Sequence, residues 1–275
     1  MTTVPSPLPV FEHRLMALRR TWRGNIFTSF LLPILFLLGM GVSVGAYVDR
    51  GGTLGVPYLD YVAPGLMAST AVQIAVGESM WPILNAFVWN RLYHAMRASP
   101  LRAADIVGGE FAYLMVRVGI PATSFLIVMA AFGVVGDAKD SAYGPLDGPP
   151  DRIQGAAWEL AAVPAAILVG AAMAGAIMAY SASIKSDNMF ALLFRFAVIP
   201  MTLFAGVFFP VHAMPLVARW IAYASPLWHG VELCRYATAG VPSTLPPIWH
   251  VAYLLLWAVA GYVLARWRFA KRLTD

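Results

Sequence analysis

The sequence has few charged residues, and this scarcity excludes most soluble classes of protein. Charged residues make up 12% of the 275 positions and hydrophobic residues 60%. A soluble domain carries about 25% charged residues and about 45–50% apolar residues. This chain therefore has too few polar side chains to cover a soluble surface. Intrinsic disorder needs the opposite composition, with low hydrophobicity and high charge. The composition therefore predicts an integral membrane protein.

Cysteine and the common catalytic motifs are also scarce or absent. The single cysteine, Cys234, excludes an internal disulfide and a cysteine-based metal site, and we interpret it as a packing residue. The sequence has no GxxxxGKS/T phosphate loop and no HExxH, GxSxG or CxxC motif. His229 and Glu232 lie three residues apart without a second ligand pair, which favours an interface or hydrogen-bonding histidine over a metal ligand. These absences predict a chain that is not catalytic by itself and binds no metal or cofactor of its own.

Six apolar segments predict an all-α, polytopic membrane protein with six transmembrane helices. Each segment is long enough to cross a hydrocarbon core about 30 Å thick at a rise of about 1.5 Å per residue. The first follows three arginines, but it is longer than the apolar part of a signal peptide, which favours a mature span. The predicted spans cover residues 25–48, 61–89, 106–135, 160–184, 189–209 and 247–265.

A proline-broken apolar stretch, residues 210–240, separates the last two predicted spans. Its prolines and charges argue against a full span, because proline interrupts the helical hydrogen-bond ladder. Two short re-entrant helices that dip part-way into the membrane from outside fit this stretch better. Irregular backbone at that depth is tolerated where protein or a water-filled cavity surrounds it.

The net charge of +5 is explained by membrane topology and needs no nucleic acid. Most of the 19 lysines and arginines flank the spans on one side when the N-terminus is placed in the cytoplasm. The positive-inside rule then predicts a plasma (inner) membrane protein with both termini cytoplasmic. The acidic, proline-rich residues 136–151 form an exposed external loop in this topology.

Residues 8–24 predict a basic amphipathic helix that lies along the cytoplasmic membrane surface. Apolar residues recur at helical spacing, and arginines fill much of the remainder. A plain positively charged flank of the first span is the alternative. Tryptophan prefers the headgroup layer, and this favours the interfacial helix. The residues that define it are Phe11, Arg14, Leu15, Leu18 and Trp22.

Residues 90–99 predict a short basic helix between the second and third spans. Ser99 followed by Pro100 is typical of an N-cap with proline at the first helical position, which would start a new helix. An exposed helix of this kind is suited to docking a cytoplasmic partner, and an ordinary positive loop is an equally good interpretation. The residues concerned are Arg91, Leu92, Tyr93, Met96, Arg97, Ser99 and Pro100.

Four ionisable residues fall within or beside the predicted spans, where an unpaired charge costs several kcal/mol. Glu110 and Arg117 lie seven residues apart, about 10 Å along one helix face, which is too far for a direct pair. Glu110 lies near the cytoplasmic edge, so we expect it either to be solvated or to pair with Arg97 or Arg102. Ion pairs between spans are the favoured interpretation of these charges, and gating or direct contact with a substrate is the alternative. The four residues are Glu78, Glu110, Arg117 and Arg195.

Two stretches of the sequence resemble the membrane subunits of ABC-2 type exporters. The first, NRLYHAMRASPLRAADIVGGE, is similar to the cytoplasmic loop of the nodulation-factor (lipooligosaccharide) and daunorubicin-resistance permeases. The second, AGVFFPVHAMPLVARWIAYASPLWHGVELCR, resembles the element before the last span in that family. It carries Gly206, Phe209, Pro210, Met214, Pro215, Ser225, Pro226, Leu227, His229, Glu232, Leu233 and Arg235. With the six-span layout, the resemblance extends over nearly the whole chain.

The resemblance implies a role for each part of the chain. Residues 8–24 would be the connecting helix, and residues 90–99 the coupling helix in a groove of a separate ATPase subunit. Residues 210–240 would be external re-entrant helices that cap the pathway. Two such permeases, identical or paralogous, would work in membrane lipid with two ABC ATPase subunits that bind ATP and Mg. The implied activity is export of a drug, antibiotic, glycolipid or lipid-like amphiphile by alternating access.

Two rival classes stay open from the residues alone. A secondary transporter or channel that works without ATP predicts an internal repeat and acidic residues at mid-membrane. No convincing repeat is present, and Glu78 is the only acid expected to lie deep. A membrane-anchored scaffold does not account for the buried charges or the external prolines. For a transporter, we expect an apolar path lined by Met67, Met80, Trp81, Phe87, Met201 and Phe204.

Overall fold

The computed structural model describes residues 6–51, 57–135, 159–239 and 243–274, and this part of the chain contains helices and no strands. The prediction of an all-α protein is therefore confirmed for the described residues. Five of their helices are long and apolar enough to cross a membrane. The external loop predicted at residues 136–151 lies outside the described ranges.

The chain begins with one long helical segment. Helix α1 (Leu8–Leu37), a π-helical stretch (Leu38–Gly45) and helix α2 (Ala46–Gly51) follow one another without a break. The candidate span that they form has 43 residues, which at about 1.5 Å per residue is about 65 Å, twice the hydrocarbon thickness. One end must therefore project beyond the bilayer. Residues 8–24, predicted as a separate interfacial helix, are instead the first turns of α1.

Helices α3 (Tyr58–Val88) and α5 (Ala103–Ala131) are two candidate spans joined by the short helix α4 (Leu92–Arg97). The predicted helix start at Ser99 is wrong, because α5 begins later. Its N-cap is Arg102, whose backbone N–H donates to a carboxylate oxygen of Asp105 at 2.9 Å.

Ser99 has a different role from the predicted N-cap. Its hydroxyl donates to the carbonyl of Met96 at 2.5 Å, so it closes the end of α4. Pro100 lies in the turn that follows. The local Ser-Pro pattern therefore marks the end of one helix. The next begins only where the Arg102 N–H donates to the Asp105 carboxylate and the Asp105 N–H donates to the Arg102 carbonyl.

Helix α6 (Ala162–Ser181) lies at the centre of the bundle, where it packs against α3, α5 and a later long helix, α11 (Pro247–Arg272). Its alanines and glycines allow these neighbours to approach closely. A Cβ atom added at Gly175 would lie 2.7 Å from the carbonyl carbon of Gly261 on α11. Helices α6 and α11 therefore touch through their backbones at this point.

The fifth predicted span, residues 189–209, corresponds to a shorter and irregular helix. Helix α7 (Asn188–Leu193), a π-helical stretch (Phe194–Val198) and helix α8 (Ile199–Phe204) follow one another. The whole segment extends about 25 Å at about 1.5 Å per residue, and it is shorter than the five candidate spans.

The described part of the predicted re-entrant stretch, residues 210–239, forms a 3₁₀ turn (Val211–Ala213) and two short helices, α9 (Leu216–Tyr223) and α10 (Pro226–Ala239). Helix α10 packs against α3, α6 and α11, and its residues Leu227, Trp228 and Cys234 are buried. Helix α9 instead exposes the apolar side chains Leu216, Val217, Trp220 and Ile221.

Candidate functional site

A buried charged cluster joins α1, α4 and α5. The Nε atom of Arg14 donates to both carboxylate oxygens of Glu110 at 2.8 Å, and the Tyr93 hydroxyl donates to Glu110 Oε1 at 2.9 Å. Arg14 Nη2 lies 3.4 Å from the Tyr93 oxygen. The Glu110 side chain is only 2% exposed. We call Arg14, Tyr93 and Glu110 the corner cluster, because they tie three helices together at one corner of the bundle.

Small residues bring α1 close enough to α5 to form the corner cluster. A Cβ atom added at Gly109 would lie 2.6 Å from the carbonyl oxygen of Pro7 and 2.6 Å from Val10 Cβ. The row Val10, Arg14, Leu18 has helical i, i+4 spacing, and it faces α5 with Val10 and Leu18 buried. The charge of Arg14 therefore points into the protein.

The residues that defined the predicted interfacial helix have different surroundings. Leu18 is buried, Phe11, Arg14 and Leu15 are half-buried, and Trp22 is exposed. The expectation that Arg97 or Arg102 pairs with Glu110 is wrong, since Arg14 is the partner. The interpretation of these arginines as the basic part of an interfacial helix did not indicate the pair of Arg14 and Glu110. The i, i+4 row of Val10, Arg14 and Leu18 is the sequence signal that indicates it.

Tyr93 anchors α4 to the bundle. Its ring is fully buried, with its centroid 4.8 Å from that of Phe87 on α3 and 5.4 Å from that of Phe269 on α11. Burial and the neighbouring Glu110 carboxylate raise the pKa of the Tyr93 hydroxyl well above its usual value. The hydroxyl therefore keeps its proton and donates a hydrogen bond to Glu110.

The other residues predicted for ATPase coupling lie on α4 or within three residues of its ends. Arg91, Arg97, Ser99 and Pro100 are exposed, and Leu92 and Met96 are half-buried. Arg91 adopts a left-handed backbone with φ of 51° and starts the helix. Helix α4 is therefore flanked by two exposed arginines, Arg91 at its N-cap and Arg97 at its last residue, and it inserts Tyr93 into the bundle.

A second ion pair crosses the bundle between α3 and α5. Arg117 Nε donates to Glu78 Oε1 at 2.9 Å, and Arg117 Nη2 donates to the Asn25 side-chain oxygen on α1 at 3.0 Å. The interpretation as ion pairs between helices is confirmed for Glu78, Glu110 and Arg117. It is wrong for Arg195, which is exposed in the π-helical stretch Phe194–Val198 and forms no salt bridge with the described residues.

The external motif contains a third charged cluster, centred on Arg235 of α10. Its Nη1 donates to Glu232 Oε1 at 3.1 Å, and its Nη2 donates to the Gly206 carbonyl at 3.0 Å. The guanidinium carbon lies 4.0 Å from the ring centroid of Tyr61 on α3, whose hydroxyl also donates to the Gly206 carbonyl. Gly206 has φ of +76°, and an added Cβ would lie 2.8 Å from Val211. The turn at Gly206 is thus held between α3 and α10.

Three prolines of the motif lie at the starts of its helical turns. Pro215 is the N-cap of α9, Pro226 is the first residue of α10, and Pro210 precedes the 3₁₀ turn. The backbone N–H of Leu227 donates to the Ser225 hydroxyl at 3.2 Å. Phe209 is 42% exposed. These residues shape the stretch and bring its charged side chains to α3.

His229 takes part in hydrogen bonds, as the sequence predicts. Its Nδ1 lies 2.8 Å from Nδ1 of His250 on α11, and its Nε2 lies 3.1 Å from the Tyr223 carbonyl. Its ring stacks on Tyr253 with a centroid distance of 3.9 Å. Burial and the adjacent His250 lower the pKa of His229 to about 4. Sequence reasoning missed His250, because a lone histidine at the start of a span gives no pairing signal.

Only some of the residues predicted to line an apolar path are exposed on the surface of the bundle. Met67, Met80 and Phe87 are buried in the core, so they are wrong as lining residues here. Trp81 and Phe204 are exposed at 44% and 37%, and Met201 is half-buried. The described residues contain no group of three or more histidine, cysteine or acidic side chains placed to hold a metal.

Known proteins are similar to this sequence over nearly its whole length. The chain matches the family described as "ABC-2 type transporter" over residues 11–238. It is 25% identical to Nodulation protein J of Rhizobium leguminosarum bv. trifolii over 97% of this chain and 93% of that protein. It is also 25% identical to Nodulation protein J of Sinorhizobium fredii, again over 97% of this chain and 93% of that protein. That of Bradyrhizobium diazoefficiens is 24% identical over 96% of this chain and 92% of its own length. The chain is therefore a multi-pass membrane protein and a transporter component that belongs to the ABC-2 type transporter family.

Proposed function

We propose that this chain is the membrane-spanning permease of an ATP-driven exporter that moves an amphiphilic or hydrophobic molecule out of the cell by alternating access. ATP and Mg bind to two separate ABC ATPase subunits in this proposal. A second permease, identical or paralogous, completes the assembly. The family match and the relatives named Nodulation protein J support a transporter component.

The corner cluster is the observation that carries the proposal. Helix α4 has an exposed arginine at each end, and Tyr93 within the helix is fixed to Glu110. Glu110 is fixed in turn to Arg14 on α1 by charge-assisted hydrogen bonds, which are among the stronger ones. A displacement of α4 by a partner is therefore expected to move α1 and α5 together.

The same geometry supports a topology for the chain. Helix α4 and the N-terminal turns of α1 meet in the corner cluster, and the C-terminal turns of α11 reach the same region through Phe269. Basic residues gather at these ends, which the positive-inside rule assigns to the cytoplasm. We infer an inner-membrane location with both termini cytoplasmic, and we place the ATPase at α4.

Glu78 distinguishes this proposal from transport without ATP. A secondary transporter needs an acidic group that is free to exchange a coupling ion near mid-membrane. Glu78 is the deepest acid predicted from the sequence, and it is held by Arg117 at 2.9 Å. This ion pair favours a structural role for Glu78.

Co-purification with an ABC ATPase tests the proposal. We expect an ATPase encoded beside this gene to bind the chain, and Arg97→Glu to weaken binding or ATP-dependent export. Arg195→Glu is a matched control, because this arginine is also exposed but lies on a different segment. If no ATPase binds, or if Arg97→Glu leaves export unchanged, the assignment of α4 as the coupling helix is wrong.

A further inference from the structure

The last turns of α11 pack against the same side chain that anchors α4. Phe269 is fully buried, and its ring centroid lies 4.8 Å from that of Phe87 on α3 and 5.4 Å from that of Tyr93 on α4. The centroids of Phe87 and Tyr93 are 4.8 Å apart. Both contacts of Phe87 are edge-to-face, a geometry that stabilises ring pairs beyond the burial of apolar area. We call Phe87, Tyr93 and Phe269 the aromatic triad.

Arg272, three residues after Phe269, connects the aromatic triad to the central helix α6. Its guanidinium carbon lies 4.4 Å from the ring centroid of Phe87, and its Nη1 donates to the carbonyl of Ser181 at 3.0 Å. Ser181 is the last residue of α6, where backbone carbonyls have no partner within the helix. A cation at this end also interacts favourably with the helix dipole. Arg272 therefore caps α6 and holds the end of α11 against it.

Helices α6 and α11 are also in contact at a second point. Gly175 of α6 and Gly261 of α11 touch through their backbones. The buried residues Gly261, Ala265 and Phe269 recur at every fourth position, so this contact and the aromatic triad lie on one face of α11. Gly261 and Arg272 are about 16 Å apart along the helix. Fixed at both positions, the two helices form one unit, which we call the α6–α11 pair.

Tyr93 therefore has two separate connections from α4 into the bundle. Its hydroxyl donates to Glu110 in the corner cluster, which leads to α1 and α5. Its ring contacts Phe269, which leads to the α6–α11 pair. The first connection is a hydrogen bond to a carboxylate, and the second is the packing of aromatic rings. Because they use different atoms of one side chain, they can be removed one at a time.

We propose that Phe269 and Arg272 are positioning residues that transmit a displacement of α4 to the α6–α11 pair, as a second route beside the corner cluster. The inference rests on the proposed function, because it assumes that a partner ATPase moves α4. Close-packed interiors have low compressibility and transmit strain, so a displaced Tyr93 ring must displace Phe269 with it. Arg272 then passes the movement to α6. The end of the last span thus takes part in coupling as well as in crossing the membrane.

Hydrogen exchange of the chain in lipid nanodiscs tests the contact without an ATPase. Phe269→Leu removes the ring and keeps an apolar side chain, so we expect it to fold. It should speed exchange of the α4 amides about threefold to tenfold, as the loss of an aromatic contact implies, and should leave the first turns of α1 unchanged. Trp267→Leu is the matched control, because Trp267 is 54% exposed on the same turns of α11. It should leave α4 unchanged.

Transport per ATP hydrolysed tests the role of these residues in the complete assembly. Proteoliposomes with the ABC ATPase would be assayed for movement of a fluorescent long-chain amphiphile and for phosphate release. We expect Phe269→Leu and Arg272→Gln to lower the amphiphile moved per ATP about tenfold, with the ATPase bound and hydrolysis within about twofold. Arg272→Lys keeps a cation and a donor, and it should retain most of the ratio. Lys271→Gln is the control, because Lys271 is the exposed neighbour.

The outcomes separate this inference from the proposed function. An unchanged ratio in Phe269→Leu and Arg272→Gln would overturn the inference, and so would α4 exchange that Phe269→Leu does not alter. A parallel fall of transport and hydrolysis would also overturn it, because a residue that only stabilises the fold lowers both together. If the unchanged protein does not transport with ATP, the proposed function fails and the coupling role fails with it, whatever the exchange measurement shows about the contact of Phe269 with α4.

Discussion

Arg14 and Glu110 depend on each other because neither charge is tolerable alone where they lie. The Glu110 side chain is 2% exposed, and that of Arg14 is 19% exposed. Removing one member of a buried pair leaves an uncompensated charge, whereas replacing both by apolar side chains is often close to neutral. Within the corner cluster, Arg14 and Glu110 must therefore be replaced together if the protein is to keep its stability.

We predict that Arg14→Leu destabilises the protein by about 3–5 kcal/mol, because it leaves the Glu110 carboxylate buried and unpaired. Adding Glu110→Leu should restore much of that loss. Thermal unfolding in detergent would compare the two variants with Arg19→Leu, which changes an exposed arginine of the same helix. Equal effects of Arg14→Leu and Arg19→Leu would show that the pair contributes nothing.

His229 makes the end of the bundle where α10 meets the start of α11 sensitive to acid. Its pKa is lowered to about 4 in the folded protein, against 6.5 for an ordinary histidine, so the unfolded chain binds a proton more readily. Stability should be fully present above pH 6.5 and should decrease as the pH falls from 6.5 towards 4. Its titratable neighbours are His250 and Tyr253 on α11 and Glu232 on the same helix as His229.

We predict that the melting temperature of the purified protein falls between pH 7 and pH 5, and that His229→Gln reduces this dependence. His212→Gln is the control, because His212 is exposed on the 3₁₀ turn nearby. A melting curve in which His229→Gln has the same pH dependence as the unchanged protein would contradict the assignment.

At the scale of helices, packing depends on a few glycines that permit backbone contact. Helices α6 and α11 touch at Gly175 and Gly261, where an added Cβ at either position would lie within 2.7 Å of the opposing backbone. The backbone has no rotamer by which to avoid such a clash, so the helices themselves must separate. This contact holds the central helix of the bundle against the last span.

We predict that Gly175→Val destabilises the protein by about 2 kcal/mol or more, since overpacking typically costs about 1–3 kcal/mol and here meets backbone. Gly24→Ala on α1 is the control, because an added Cβ there meets nothing within 4 Å. It should be neutral or stabilising by up to about 1 kcal/mol, the helix propensity gained. Similar melting temperatures for the two variants would disprove the close contact.

For the molecule as a whole, the sequence predicted class and family better than individual contacts. Hydropathy alone predicts an all-helical membrane protein, because the bilayer demands long apolar helices with few charges. It does not predict that Arg14 turns inward to Glu110, since the two residues are 96 positions apart and only tertiary packing brings them together. The pair of His229 and His250 was missed for the same reason.

The fifth predicted span and the start of α5 show a second limit of prediction from sequence. The apolar run at residues 189–209 gives no sign that π-helical turns interrupt it at Phe194–Val198, or that Arg195 is exposed there. Ser99 and Pro100 resemble a helix start, but the reciprocal bonds of Arg102 and Asp105 determine where α5 begins. Local patterns of this kind compete within a few residues, and the tertiary contacts of Tyr93 and Glu110 favour one of them.

ATP-dependent transport by the whole assembly tests the central claim most directly. The chain would be placed with its ABC ATPase in inside-out vesicles, and accumulation of a fluorescent amphiphile would be followed with and without ATP. The account predicts accumulation that needs ATP and both proteins and that falls sharply with Arg97→Glu. Accumulation that persists without the ATPase, or that follows an ion gradient instead of ATP, would contradict it.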